Sequence, residues 1–331
     1  MKIAIFAAGT GGHIYPALSI AEKFGKENVI FIASNRQTER KIFKNSGFKV
    51  IHLNIAGFRG KKFLEKLLWP FSLISCVLIS MFLLIKFRPP NVLLMGNYIS
   101  VIGLISSIFL FKNIYIHEQN SILGSANKLS LIFAKKLFTT FPLNEKKEHN
   151  FGQPIRYAFN SLSYTSHSKK EHILVLGGSQ GSLFFNNQLS ETFKNLNLNE
   201  KILFQTGEQN QKISTEKIEY VKFIENMPEV MAKSKFIICR AGASTVAEVQ
   251  SIGLPAIFIP LANSIDDHQM KNAKLACRDG GGIVLNEKNF NAEEFSQKIS
   301  EFNLQNFQEL SKKMGKNIHL KSAEKIFHEI K

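Results

Sequence analysis

Two glycine-rich turns carry side chains suited to chemistry on a phosphorylated molecule: Gly9-Thr10-Gly11-Gly12-His13 and Gly177-Gly178-Ser179-Gln180-Gly181-Ser182. A glycine turn that opens a helix leaves backbone N–H groups and the positive helix end directed at one spot, where an anion binds at little cost. Ser179, Gln180 and Ser182 add side-chain donors to the second turn, which suits a diphosphate; this half lacks the GxGxxG fingerprint of a nicotinamide dinucleotide site. His13 closes the first turn, and an imidazole that titrates near neutrality can take a proton from an attacking hydroxyl. The plainer alternatives are a tight strand-to-helix turn in each case and a structural histidine.

Three further stretches put polar residues where a buried strand would continue with apolar ones. Cys239-Arg-Ala-Gly-Ala-Ser-Thr-Val-Ala-Glu248 passes through Gly242 into a helix-like stretch. Thr245 and Glu248 have capping-box spacing; alternatively Glu248 accepts hydrogen bonds from two ribose hydroxyls, as acidic residues do in nucleotide sites. Pro260 to Gln269 supplies amides and carboxylates suited to sugar hydroxyls, and His117-Glu118-Gln119-Asn120 follows the apolar run Ile114 to Ile116. Met95-Gly-Asn-Tyr98 is a third glycine turn. No DxD motif or metal-ligand cluster accompanies the turns, so the expectation is no metal and no cofactor; Asp266-Asp267 is the nearest carboxylate pair.

The elements that must position these residues are legible as a βαβα rhythm, the mark of a doubly wound parallel sheet in an α/β protein. Strands are expected at Lys2 to Ala8, Val29 to Ser34, Lys49 to Leu53, Val92 to Met95, Ile114 to His117 and Lys136 to Thr140. A second series follows at Ile173 to Leu176, Ile202 to Thr206, Glu219 to Phe223, Phe236 to Cys239, Ala256 to Pro260 and Gly282 to Leu285. Both halves read as Rossmann-like, in domains 1–150 and 151–331, with a Ser-, Asn- and Lys-rich connection from Asn160 to Lys170 and a final helix able to pack back on the first domain. Open α/β sheets bind ligands at the carboxyl ends of their strands, so the polar loops are expected along one rim of each sheet.

The chain holds 42 Lys and Arg against 26 Asp and Glu, a net charge of +16, which implies an anionic partner. Cys76, Cys239 and Cys277 have no CxxC spacing and cannot pair completely, which predicts a reduced compartment. Met1-Lys2 runs directly into a strand pattern, so no signal peptide is expected and the protein is read as cytoplasmic. One segment stands against that background: Leu67 to Ile85 is 19 residues without a charge, long enough to span a bilayer. Basic residues on both flanks (Lys61, Lys62 and Lys66; Lys86 and Arg88) write no inside–outside asymmetry, and the segment occupies a crossover-helix position. A sheet-covering helix does not need an apolar outer face. The readings are a span, a plain buried helix, and a helix whose outer face docks on a membrane, the last favoured.

GTGGHIYPAL at 9–18, HEQN at 117–120, GQPIR at 152–156, GGSQGS at 177–182, CRAGASTVAE at 239–248 and DDHQMKNA at 266–273 resemble, in order and from end to end, the bacterial peptidoglycan glycosyltransferases of the MurG family, glycosyltransferase family 28. The resemblance implies a GT-B fold, two Rossmann-like domains facing across a cleft. It implies transfer of N-acetylglucosamine from UDP-GlcNAc to the C4 hydroxyl of the muramoyl sugar of lipid I, at the cytoplasmic face of the inner membrane. It further implies a donor site with backbone at Ile224 on uracil, Glu248 on ribose, Ser179, Ser244 and Thr245 near the diphosphate, Gln269 and Asn120 on the sugar, and Arg156 near the donor. Thr10, Gly11 and Gly12 would meet the substrates from the acceptor side. Two positions depart from the pattern: Asn97 stands where a second glycine is common, and Gln153 where Asn usually precedes the proline.

The expected reaction is an inverting displacement with His13 as base and Glu118 as the second candidate, the departing diphosphate being stabilised by backbone donors and Arg156. Two rivals stand beside it: a UDP-GlcNAc 2-epimerase of the same fold, and a non-enzymatic basic module for membrane or nucleic acid, which would leave the ordered polar loops unexplained. No nucleic-acid partner is expected.

Overall fold

The computed structural model describes residues 1–9, 11–55, 63–164, 170–178, 181–194, 196, 198–207 and 212–331, and their side chains except at 63–68 and 265. The chain forms two compact units, Met1–Arg156 with Ile318–Lys331, and Tyr157–Asn317.

In unit 1, β1 (Ile3–Phe6), β2 (Val29–Ser34), β3 (Lys49–Leu53), β4 (Asn91–Leu94), β5 (Asn113–Glu118), β6 (Lys136–Thr139) and β7 (Glu148–Asn150) form one sheet in the order β3-β2-β1-β4-β5-β6-β7. Every neighbouring pair is parallel. Its helices are α1 (Gly11–Phe24), α2 (Gln37–Lys44), α3 (Phe63–Phe87), α4 (Asn97–Phe109) and α5 (Ser125–Leu131). The central strands read as unbroken apolar runs because both faces are covered. Ala4, Phe6, Ile30, Ile32 and Leu94 pack in a core with side chains of α3 and α4, while Ile3, Ile5, Phe31 and Leu93 pack in a second core with side chains of α1.

In unit 2, β8 (His172–Leu176), β9 (Lys201–Gln205), β10 (Ile218–Val221), β11 (Ser234–Cys239), β12 (Ala256–Phe258) and β13 (Gly282–Val284) form a parallel sheet ordered β10-β9-β8-β11-β12-β13. The connecting helices are α6 (Ser190–Lys194), entered through a π-helical turn at Phe185–Leu189, then α7 (Met227–Lys233), α8 (Ala243–Ile252), α9 (His268–Cys277), α10 (Ala292–Asn303) and α11 (Phe307–Met314). The last helix, α12 (Ser322–Ile330), belongs to unit 1: Phe327 meets Phe24 edge-on at 4.7 Å, and Asn91 Nδ2 donates to the Ile330 carbonyl at 3.1 Å. The segment from Asn150 to Arg156 also stays with unit 1, held by Gly152 N–H donating to Thr139 O and by Ser322 Oγ donating to Gly152 O.

All twelve expected strands form, within a residue or two at their ends. β7 carries no sequence signal: Glu-His-Asn at a sheet edge buries no apolar face, so it lacks the pattern that marks a strand.

The over-apolar segment is α3, the crossover between β3 and β4. Cys76, Val77, Ser80 and Leu84 are buried, whereas Phe71, Ile74, Leu78, Phe82 and Ile85, at helical spacing on the opposite side, are each 57–71% exposed. Trp69–Phe87 is long and apolar enough to cross a membrane, with 22% of its most apolar stretch buried. The helix is therefore apolar on both the packed and the outer side.

Strand order reverses between β1 and β4 in unit 1 and between β8 and β11 in unit 2. At such switch points adjacent loops diverge to opposite faces and leave a crevice at the carboxyl ends. The glycine turns after β1 and β8 each border one.

Candidate active site

In unit 1, Gly9 has φ +108° and Gly96, in the turn after β4, has φ +85°, conformations that favour glycine. The His13 imidazole lies between them: its Nδ1 is 3.7 Å from where a Cβ on Gly9 would stand, and its Nε2 is 3.7 Å from that of Gly96. The switch point thus receives the imidazole, delivered by the first turn of α1. Thr10 lies outside the described residues; Gly11 and Gly12 open the helix. Asn97 takes φ +71°, and Asn is among the few non-glycine residues that accept the left-handed region, so the departure at this position preserves the turn.

Glu118 ends β5 and is 3% exposed. Its Oε1 accepts from Asn120 N–H at 3.0 Å and Asn120 Nδ2 at 3.5 Å, its Oε2 from Gly124 N–H at 3.0 Å and Asn127 Nδ2 at 2.8 Å. Four donors occupy its four lone-pair directions. Burial raises its pKa, against the opposing pull of those hydrogen bonds. His117 is fully buried, and burial, with the neighbouring His13, lowers its pKa to about 3 against a backbone hydrogen bond at Gly152. Gln119 Nε2 donates both to Met95 O and to His117 Nδ1, at 3.1 Å each, which puts the imidazole proton on Nε2. The Glu118 carboxylate and the Gln119 NH2 group therefore hold the loop that carries Asn120. Arg156 stacks its guanidinium over Tyr15, 5.3 Å from the ring centroid, and so stands beside the first turn of α1.

In unit 2 the second glycine turn closes on itself: Gly181 N–H donates to Gly178 O at 3.0 Å, and a Cβ on Gly181 would fall 2.0 Å from Thr206 O. Ser179 lies outside the described residues. α8 starts at Ala243 with Gly242 as its N-cap, so Thr245 is the third helical residue and Glu248 lies in the second turn. That placement removes the capping-box alternative, which needs the Thr at the cap itself. Ser244 and Thr245 lie in the first turn, where backbone donors are uncommitted to the helix. A Cβ on Gly178 or on Gly242 would meet nothing within 4 Å, so at these two positions the crevice is open. At Gly242, whose φ is an ordinary −65°, neither backbone nor neighbours demand glycine, as expected where a ligand approaches the chain.

Ile224 is buried, and its N–H donates to Gln205 Oε1 at 3.0 Å while Gln205 Nε2 donates to Gly178 O at 3.3 Å. Gln269, in the first turn of α9, accepts from Leu261 N–H at 3.1 Å, which leaves its amide NH2 for a hydroxyl. Among the described residues no group of three or more His, Cys, Asp or Glu side chains is arranged to hold a metal ion.

Three charged residues here escaped sequence reasoning. Arg240, 8% exposed, donates to Ser182 Oγ and Glu287 Oε2 at 2.6 Å each and to the carbonyls of Ile259 and Pro260, and lies over the Phe185 ring. Glu287 also accepts from Ala262 N–H at 3.1 Å. The pair ties together the loops after β8, β12 and β13. In unit 1, Glu39 is wholly buried beneath the turn at Gly9. None of the three lies in a glycine-bearing pattern of its own beyond Arg240's place beside Gly242, and their partners are distant in sequence.

Models of the glycosyltransferase family 28 N-terminal and C-terminal domains match residues 3–139 and 172–330. The UDP-N-acetylglucosamine–N-acetylmuramyl-(pentapeptide) pyrophosphoryl-undecaprenol N-acetylglucosamine transferase of Tolumonas auensis is 31% identical over 91% of this chain and 89% of its own length. The transferase of the same name from Buchnera aphidicola is 33% identical over 98% and 97%. Among solved structures, Acinetobacter baumannii MurG superimposes with a TM-score of 0.78 at 25% identity, covering 100% of this chain and 99% of that one.

Proposed function

The chain belongs to glycosyltransferase family 28, with the two α/β domains of the GT-B fold, and from that premise we propose that it moves N-acetylglucosamine from UDP-GlcNAc to the C4 hydroxyl of the muramoyl sugar of lipid I. The product is lipid II, for peptidoglycan synthesis, made at the cytoplasmic face of the membrane. The observation that carries this reading is the match to relatives named for that transfer over 91% and 98% of the chain.

Unit 2 holds the donor. The Ile224 carbonyl receives the uracil N3–H, its own N–H being committed to Gln205. Glu248 takes the ribose hydroxyls, and the diphosphate lies over Gly178, Gly242 and the N–H groups of Ser244 and Thr245. Gln269 and Asn120 address the sugar. Unit 1 holds the acceptor. The C4 oxygen attacks the anomeric carbon while the bond from that carbon to the β-phosphate oxygen breaks, its electron pair leaving with UDP. His13 takes the hydroxyl proton, and helix-end donors with Arg156 stabilise the negative charge that develops on the leaving group. Glu118 organises the Asn120 loop and is not the base, because its lone pairs are occupied.

The acceptor is a lipid, and the exposed stripe of α3 is the surface that meets its membrane. Phe109, Phe111, Ile132 and Phe133, at the ends of α4 and α5, are 50–95% exposed, and Lys86, Arg88, Lys128 and Lys135 are exposed near the ends of these helices. Burying the five stripe residues of α3 would contribute about 5–9 kcal/mol, at about 1.5–3 kcal/mol per fully exposed side chain.

The test is transfer from labelled UDP-GlcNAc to a lipid I analogue in EDTA, with product expected in the inverted configuration. His13→Ala should keep UDP-GlcNAc binding by calorimetry and lose roughly 10²–10⁴-fold in kcat. Conversion of UDP-GlcNAc to its C2 epimer with no acceptor product would overturn the reading. For docking, the single tryptophan, Trp69, lies at the start of the stripe. Its emission should shift to the blue with anionic vesicles, and Phe82→Glu should abolish the shift; an unchanged response would remove α3 from this role.

A further inference from the structure

Glu39 is a buried carboxylate that the mechanism above does not use. It sits on α2 with no exposure, on the inner side of an amphipathic helix whose next inward residue is Phe43. Packing alone would be served there by another apolar side chain. Instead its Oε1 accepts from Gly9 N–H at 2.8 Å and from Ser34 Oγ at 2.6 Å, and its Oε2 from Ser34 N–H at 2.9 Å. Three donors on two oxygens offset the cost of taking such a polar group out of water. All three donors stand at the carboxyl ends of β1 and β2, where the chain is leaving the sheet and its N–H groups have lost their ladder partners. α1 begins two residues after Gly9, so the positive end of that helix also favours the charge.

The Gly9 peptide lies between this carboxylate and the His13 imidazole. Glu39 holds its N–H, and His13 packs against its α-carbon side. The two glycine turns are also backed by opposite charges: Arg240 donates to Ser182 in the turn that meets a diphosphate, whereas Glu39 accepts from Gly9 in the turn that delivers the base. We propose that Glu39 is the positioning residue for His13, fixing the turn at Gly9 to the ends of β1 and β2 so that the imidazole stays aimed at the acceptor hydroxyl. This rests on His13 being the base.

Glu39→Gln keeps the shape but turns an NH2 group toward donors. It should lower kcat roughly 10–100-fold, the scale of a 1 Å displacement of a reacting group. The KM and Kd for UDP-GlcNAc, set mainly by residues of unit 2, should stay within twofold. Ser34→Ala removes a single donor and leaves both N–H bonds; it should fold if Glu39→Gln does not, and should lower kcat several-fold with the same split. A purely structural Glu39 would instead lower the melting temperature and leave kcat per folded molecule unchanged, which overturns the proposal. So does a parallel loss of UDP-GlcNAc binding. A wild type that transfers beside variants that keep pace sinks the role of Glu39 alone; a wild type without transfer sinks the functional reading and this assignment with it.

Discussion

Replacing Arg240 by methionine should loosen the loops that follow β8, β12 and β13 in unit 2. The Arg240 and Glu287 side chains are 10% and 16% exposed, with 2.6 Å between Nη1 and Oε2. Removing the guanidinium strands a largely buried carboxylate with Ala262 N–H, and strips donors from Ser182 Oγ and from the Ile259 and Pro260 carbonyls. Breaking one side of such a pair costs about 3–5 kcal/mol, because the partner's desolvation is no longer offset. Glu287→Gln keeps an acceptor for Ala262 N–H and leaves the guanidinium its carbonyl partners, so it should cost about 1–3 kcal/mol. The double variant should cost about 0.5–3 kcal/mol less than the sum of the singles, since the stranded charge is gone. Native-state amide hydrogen exchange of β8, β11 and β12 reads the local free energy, and calorimetry with UDP-GlcNAc reads the loop geometry. Additive costs, or an Arg240→Met chain with unaltered exchange and UDP-GlcNAc affinity, would refute the argument that this pair organises the three loops.

Burial lowers His117 to about 3 and His319 to about 4, from 6.5, so both stay neutral in the folded chain while their unfolded counterparts take protons. The stability of unit 1 should therefore be full well above pH 6.5 and fall as pH drops toward 4, by up to about 3 kcal/mol per pH unit for the two sites. His319→Gln should roughly halve that slope in urea titrations at pH 7, 6 and 5, and an unaltered slope would count against it. Gly103 lies inside α4, where a Cβ would come within 2.6 Å of Leu94 and Phe6 side chains. Gly103→Ala should cost about 1–2 kcal/mol of unit 1 stability, overpacking exceeding the gain in helix propensity; a raised denaturation midpoint would contradict it.

The parallel architecture was written locally. Strands covered on both faces must be continuously apolar, and turns that need positive φ must be glycine, so β1, β8 and the turns after them could be read without a structure. The family match was legible for the same reason, since its motifs are the loops that follow such strands. β7 was not legible, because an edge strand of three polar residues obeys no burial pattern. The candidate site was legible in its residue types but not in their duties. By residue type and place Glu118 reads as a candidate base, but four donors occupy its oxygens, two of them from Gly124 and Asn127 beyond the loop's own motif. The spacing of Thr245 and Glu248 carries two meanings in sequence, and Gly242 as the N-cap of α8 removes the capping box.

Sequence by itself determined that two glycine turns open helices after buried strands, that the chain is basic, and that the segment 67–85 is apolar around most of its circumference, because each follows from neighbours within a few residues. Tertiary structure decided what lies beneath the turns: a buried carboxylate 30 residues from Gly9 and a guanidinium 58 residues from Ser182. Hydrogen-bond satisfaction of buried charge is a property of the space into which distant segments fold, and no local period in the chain encodes it.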